Sequence, residues 1–323
     1  MDIGGRPLLN LFAALRKTFF KPNRATEINP DPPRISGENI YRWKVVDVGD
    51  IVDFPNGIAD IYDRKIDGFL IRGVLDPEEI QCLLDGLDET APNELTVLPN
   101  GITLYPESFS QQDQKVGDPS ENLRAYFQAC ALFRQRFLKR FGVSVEQRLQ
   151  TVFDALAGGR RSNVPQGFGG VGSFAPCSFR RLTSGLGRFN DHCGNLFHAE
   201  FPKFYEKLSP LVKIHDQLSF FVVLQQAQQG GELILFDALW DHVKIRSDGD
   251  AAHLLGEDGR TYELNDPSKV RRQLINPRPG DLIIFGGGHI WHRVETVEGP
   301  RDRITLGGFL ANSNDDQSIY FWT

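Results

Sequence analysis

The sequence has little cysteine, and none of its four cysteines belongs to a Cys-x-x-Cys pair. Scattered thiols in a chain of 323 residues argue against a disulfide framework and favour a reducing compartment. There is no excess of basic residues either, because the net charge is −6. Without a positive stripe, nucleic acid is not expected as a partner. We therefore expect a cytoplasmic protein that acts on something other than nucleic acid.

Long hydrophobic runs are also missing, and no apolar stretch approaches the length of a membrane span. The N-terminal stretch LLNLFAALRKTFFK (8–21) is amphipathic but short, and no small-residue cleavage site follows it. It predicts a helix packed on the body of the protein instead of a secretory signal. We expect residues 1–65 to form an N-terminal extension of helix and loop, followed by a single domain at 66–323.

The two halves of the chain differ in pattern. Asp76 before Pro77 predicts a helix start, with an N-cap carboxylate and a proline in the first turn. The pattern at 121–142 predicts a second, long amphipathic helix that ends at a glycine. From about residue 174 onward, short β-branched and aromatic runs alternate with Gly, Pro and Asp, which is typical of strands and turns. The expected fold class is α+β, with a β-sandwich or barrel core at about 174–312.

The strongest chemical signal is PGDLIIFGGGHIWHRVETVEGPRDRITLGGF at 279–309. A turn leads into an apolar strand, then a glycine-rich bend and His292, and two arginines, Arg301 and Arg303, open the next predicted strand. This order predicts a histidine near the end of one strand and two arginines at the start of the next. Imidazole is a suitable ligand for Fe(II), and a guanidinium in a dry site suits a carboxylate.

These residues resemble the Fe(II)/2-oxoglutarate-dependent oxygenase superfamily. GDLIIF at 280–285 is similar to the family's strand before the distal histidine ligand, and HRV at 292–294 to its His-x-Val context. RIT at 303–305 is similar to its Arg-x-Ser/Thr pair. The resemblance covers roughly residues 66–89 and 174–312.

The resemblance implies a double-stranded β-helix of the jelly-roll or cupin-like type. It implies an enzyme that uses Fe(II), 2-oxoglutarate and O₂ to oxidise an unactivated C–H bond of a small molecule through a ferryl intermediate. His292 becomes the distal iron ligand, and an arginine holds the far carboxylate of 2-oxoglutarate. Arg301 and Arg303 lie two apart on the predicted strand and hence on one face, so either is a candidate. Arg303 is preferred because Thr305 follows at the family's spacing.

The proximal iron ligand has two candidates within FNDHCGNLFHAEF at 189–201. In the first, FRRLTSG at 179–185 resembles the family's Arg-[Tyr/Leu]-x-x-Gly strand, with Arg181 as its arginine. His192 follows as the ligand, and Gly194 stands where the family has a carboxylate. In the second, His198 and Glu200 form a complete His-x-acid pair. We favour His192, because it follows the strand that carries the expected arginine and glycine.

The two alternatives predict different reactions. Two imidazoles with Glu200 complete a facial triad and predict hydroxylation. With Gly194, the carboxylate is missing, and in the family's halogenases a small residue there lets chloride bind iron, so that chlorination replaces hydroxylation. A Gly194→Asp substitution is then expected to suppress chlorination and to supply the missing carboxylate.

Further candidates and alternatives remain. Gln217, Ser219 and Phe221 share one face of a predicted strand and are expected to line the barrel. Two other hypotheses stay open for the whole domain. One is a non-catalytic cupin-like binding protein, and the other is a metalloenzyme on the same scaffold that does not use 2-oxoglutarate.

Overall fold

The structure is a computed structural model that describes residues 34–141, 144–167, 172–245, 252–256 and 258–323. The helix predicted at 8–21 lies outside the described residues. Within them the α-helices are α1 Gly57–Tyr62, α2 Pro77–Asp88, α3 Pro119–Phe141, α4 Val145–Leu156, α5 Gly194–Glu200 and α6 Pro202–Leu208. The strands of the same residues are β1 Arg34–Gly37, β2 Trp43–Asp47, β3 Gly68–Arg72, β4 Thr96–Val97, β5 Ile102–Tyr105, β6 Arg161–Asn163, β7 Ser178–Leu182, β8 Phe189–His192, β9 Leu218–Gln225, β10 Gln229–Gly230, β11 Leu233–Leu239, β12 Val243–Ile245, β13 Ala252–Leu255, β14 Thr261–Glu263, β15 Arg272–Asn276, β16 Leu282–Phe285, β17 Ile290–Val294, β18 Val297–Glu298, β19 Arg303–Asn312 and β20 Ser318–Trp322.

Helix α2 begins where the sequence predicts. The Asp76 carboxylate accepts from the Glu79 backbone N–H (2.8 Å), and the Glu79 carboxylate accepts from the Asp76 N–H (3.0 Å). This reciprocal capping box, with Pro77 in the first turn, satisfies two donors that a helix end leaves free. A cap of this kind stabilises a helix by about 1 kcal/mol. The buried residues of α2 then pack into the core of the large sheet.

Two sheets carry the histidines and the arginine that the sequence predicts as ligands. The larger one has the order β2-β3-β16-β9-β19-β7-β5-β4, with β20 paired to β19 and β6 paired to β20. The smaller one has the order β1-β15-β11-β17-β8. Strand β19 is central in the large sheet, because it pairs antiparallel with β9 on one side and β7 on the other. In the small sheet β17 lies between β11 and β8.

The sheets face one another across a shared apolar interior. In β16, Ile283 and Phe285 pack with Leu235 and Ile290 of the small sheet, whereas Leu282 and Ile284 belong to the cluster beneath the helices. Side chains alternate across a strand, so burial on both faces gives the continuous apolar run LIIF. The space between the two sheets is therefore an apolar interior, and the other face of β16 is covered by the helices.

The predicted mixed α+β class is confirmed, but the second half of the chain is not all β. Helices α5 and α6 lie between β8 and β9, so FNDHCGNLFHAEF is a strand followed by a helix. Strand β1 pairs with β15 and β2 pairs with β3. Part of the predicted extension thus joins both sheets, and a division of the chain at residue 65 stays a prediction. Among the described residues, no helix has the length and apolar character that crossing a membrane requires.

Candidate metal centre

Two histidines face each other across neighbouring strands of the small sheet. His192 ends β8 and is the direct antiparallel partner of His292 in β17. Their ring centroids are 4.2 Å apart, with the ring planes at 54°. Directly opposite residues in a sheet point to the same face, so both imidazoles project into the space between the sheets.

The hydrogen bonds of the two rings fix which nitrogen is free. Nδ1 of His192 lies 2.6 Å from the carbonyl of Asn190, and Nδ1 of His292 lies 2.8 Å from the carbonyl of Ile290. A carbonyl only accepts, so each Nδ1 carries the hydrogen and each Nε2 keeps its lone pair. Metal-ligating histidines are oriented in this way.

Burial keeps both rings neutral. His292 is 5% exposed. Burial lowers the pKa of His192 to about 4 and lowers the pKa of His292 well below its ordinary value, with His192 as a second cause for His292. A neutral imidazole with a free Nε2 is the form that binds a metal. The donor set therefore fits a divalent transition metal.

The second predicted pair lies elsewhere. His198 and Glu200 are exposed residues in the last turns of α5. The His198 ring packs against Tyr205, with 5.3 Å between ring centroids. The structure thus brings His192, and not His198, to His292.

Gly194, the first residue of α5, is closely surrounded. A β-carbon at this position would lie 3.0 Å from Nε2 of Gln217 and 3.0 Å from the α-carbon of Gly288. The described residues contain no group of three or more His, Cys, Asp or Glu side chains placed to hold a metal. Within that part of the chain, the histidine pair has no carboxylate placed beside it as a third ligand.

Arg303 points into the interior from the start of β19. It is 6% exposed, and its guanidinium lies 5.2 Å from the centre of the Phe221 ring. Burial and, as a second cause, the charge of Arg180 lower its pKa to about 10, while the charge of Glu232 opposes the shift. Among the described residues no carboxylate lies within ion-pair distance of Arg303. A buried cation that forms no ion pair with a carboxylate of the protein is suited to an anionic ligand.

The expectation that Arg301 shares this face is wrong. Strand β19 begins only at Arg303, so strand alternation does not extend back to Arg301, which is exposed. Thr305 does share the face of Arg303 and is 2% exposed. Of the two predicted arginines, Arg303 alone reaches the interior.

The sequence interpretation missed a second interior arginine. Arg181 pairs with Asp88 on the outside of the sheet, whereas Arg180 is the cross-strand partner of Thr305. The Arg180 guanidinium lies between Phe189 and Phe309, 6.0 and 5.9 Å from their ring centres. Burial lowers its pKa to about 10. Strand alternation was the available signal, but it needs the register with β19 to decide which arginine faces inward.

The opposed imidazoles and the interior arginine, set between two sheets, are features of the Fe(II)/2-oxoglutarate-dependent enzymes, and comparison with known proteins places the chain in that class. The match is more specific at the family level. The family described as carrier-protein-independent halogenase WelO5 matches residues 40–323, and the chain belongs to this family. Its members use Fe(II), 2-oxoglutarate, O₂ and chloride and act on small molecules. The hypothesis of a non-catalytic binding protein is thereby wrong.

Structural similarity supports the fold. An N-substituted L-amino acid dioxygenase from Burkholderia ambifaria AMMD is 15% identical, with a TM-score of 0.51 over 81% of this chain and 89% of that chain. Its complex with alpha-KG is 14% identical, with a TM-score of 0.50 over 82% of this chain and 90% of that chain. At such identities the likeness concerns the fold alone. No curated protein matches the sequence.

Proposed function

We propose that the protein is an Fe(II)/2-oxoglutarate-dependent halogenase of a small molecule, in which His192 and His292 hold the iron. The observation that carries the proposal is the opposed histidine pair followed by Gly194. The two rings lie 4.2 Å apart with each Nδ1 bonded to a carbonyl, which leaves both Nε2 atoms free, and residue 194, where the oxygenase superfamily usually has a carboxylate, is a glycine. Without that carboxylate, a halide has a coordination position to occupy.

The strand order supports a double-stranded β-helix. The segment β16-β9-β19-β7 of the large sheet faces β15-β11-β17-β8 of the small one. In this arrangement the histidines project from the small sheet, while Arg303 and Thr305 project from the large sheet. The proposed metal ligands and co-substrate ligands then project from facing sheets into the interior between them.

Arg303 would hold the far carboxylate of 2-oxoglutarate, with Thr305 beside it. The guanidinium presents a planar fork that matches a carboxylate, and burial strengthens the contact. Arg180 adds a second positive charge near the histidines, and together the two arginines favour a site filled by anions. The iron, once bound, would supply the oxidation of an unactivated C–H bond at the expense of O₂ and 2-oxoglutarate.

The test is anaerobic titration of the protein with Fe(II) and 2-oxoglutarate, followed by the visible charge-transfer band of the chelate. His192→Ala and His292→Ala are expected to abolish the band and the formation of succinate in air. His198→Ala is the matched control and should keep both. Loss of the band in His198→Ala, with His192→Ala unaffected, would reverse the assignment of the proximal ligand.

A further inference from the structure

Gln217 has a buried side-chain amide to which the proposed function assigns no role. It precedes β9 and is fully buried, and among the described residues its Oε1 has no hydrogen-bond partner. Its Nε2 donates to the Tyr205 hydroxyl at 3.0 Å. A side-chain amide nitrogen carries two hydrogens, so one donor is left over. Oε1 can only accept a hydrogen bond and does not bind an anion, so the second Nε2 hydrogen is the part of this amide that can meet an anionic ligand.

The amide lies beside the position that lacks a carboxylate. The β-carbon that Gly194 does not have would lie 3.0 Å from Nε2 and 3.2 Å from Cγ of Gln217. A ligand side chain at residue 194 would therefore start in contact with this amide. Gln217 borders the space that such a side chain would fill.

Three segments hold this arrangement in place. The backbone N–H of Gly194 donates to the Gly287 carbonyl (2.8 Å), and that of Asn195 to the Gly288 carbonyl (2.9 Å). The Asn195 side chain exchanges two hydrogen bonds with Asp216, at 2.8 and 2.9 Å. The backbones on both sides of the Gly194–Gln217 contact are thus tied together, and the amide has a defined place.

We propose that Gln217 is the residue that positions the halide beside Gly194. The inference rests on the proposed function, because the halide takes the place of the absent carboxylate next to the His192–His292 pair. The second Nε2 hydrogen donates to the anion, and Tyr205 holds the amide in the orientation that permits it. A hydrogen bond to an ion in a buried site is stronger than one between neutral groups. Arg180 contributes positive charge to the same interior.

The experiment is a chloride titration of the Co(II)-loaded protein with 2-oxoglutarate, followed by visible absorption, with bromide as a second probe. Gln217→Leu is expected to weaken chloride binding by roughly 10- to 100-fold, as loss of a hydrogen bond to a charged group does, while Co(II) affinity is unchanged. Tyr205→Phe should weaken it less. Gln226→Leu is the matched control, because the Gln226 amide bonds Asn276 and Pro277 instead. Chloride affinity of the control should equal that of the wild type.

The outcomes separate the two proposals. Wild-type chloride affinity in Gln217→Leu, with Co(II) bound, overturns the role of Gln217 and leaves the metal site intact. Co(II) binding that does not depend on His192 and His292 overturns the proposed function itself. If Gln217→Leu does not fold, the isosteric Gln217→Glu serves. Its carboxylate should abolish chloride binding through like-charge repulsion, and retained chloride binding contradicts the inference.

Discussion

Replacing Arg303 by methionine is expected to stabilise the metal-free protein while removing its affinity for 2-oxoglutarate. Burial lowers the pKa of Arg303 from 12.5 to about 10. Such a shift corresponds to about 3 kcal/mol by which the folded state disfavours the charged form. Methionine keeps most of the aliphatic stem but loses the cation–π contact with Phe221, worth about 1–2 kcal/mol. The expected net gain in the free energy of unfolding is about 1–2 kcal/mol.

The same substitution removes one partner of a buried charge pair from the co-substrate complex. Such a loss costs about 3–5 kcal/mol, so 2-oxoglutarate affinity should fall by at least roughly 100-fold. Urea unfolding measures the first effect, and anaerobic titration of the Fe(II) chelate band measures the second. Arg301→Met, at an exposed position ahead of β19, should change neither. If Arg303→Met unfolds more easily and binds 2-oxoglutarate as before, Arg303 is a structural residue and the reasoning fails.

Two further substitutions test the packing and the electrostatics around the site. Gly194→Ala is expected to cost about 1–3 kcal/mol of unfolding free energy, as overpacking does. In a double-mutant cycle with Gln217→Ala this cost should shrink, because only the contact with Gly288 remains, and additive effects would speak against the contact. Asp281, whose pKa burial raises to about 6, should contribute stability that is complete below pH 4 and is lost as the pH rises through 6. Compared with Asp281→Asn, the wild type should therefore gain about 2–3 kcal/mol between pH 7 and pH 4, and a constant difference would contradict this.

Motif spacing predicted the parts of the site that each lie within one strand. HRV and RIT predicted one ligand each, and the structure buries His292 in β17 of the small sheet and Arg303 in β19 of the large sheet. The N-cap of α2 was equally predictable, because Asp76, Pro77 and Glu79 act within one helical turn. Local chemistry of this kind needs no knowledge of the partners across the fold.

Features that depend on where a strand begins, or on register between strands, were not predictable. Arg301 and Arg303 look equivalent by spacing, but the chain is not yet a strand at Arg301. Arg180 and Arg181 look equivalent in FRR, and only pairing of β7 with β19 turns Arg180 inward. A single residue of register moves every side chain of a strand to the other face, so the sequence alone leaves such pairs undecided.

The close approach of Gln217 to Gly194 gives a second reason, besides the open iron position, for a glycine at residue 194. The glycine lacks a carboxylate, but it also has almost no room for a β-carbon, because Gly288 and the buried amide lie 3.0 Å from where that carbon would be. A Gly194→Asp substitution therefore introduces two changes, an acidic ligand and an overpacked side chain. Loss of chlorination in that variant does not distinguish them. We expect an aspartate at position 194 to bind iron in place of the halide without overpacking only when Gln217 is also replaced by a smaller residue. Gly194 and Gln217 together, and not Gly194 alone, therefore keep a carboxylate ligand out of this position.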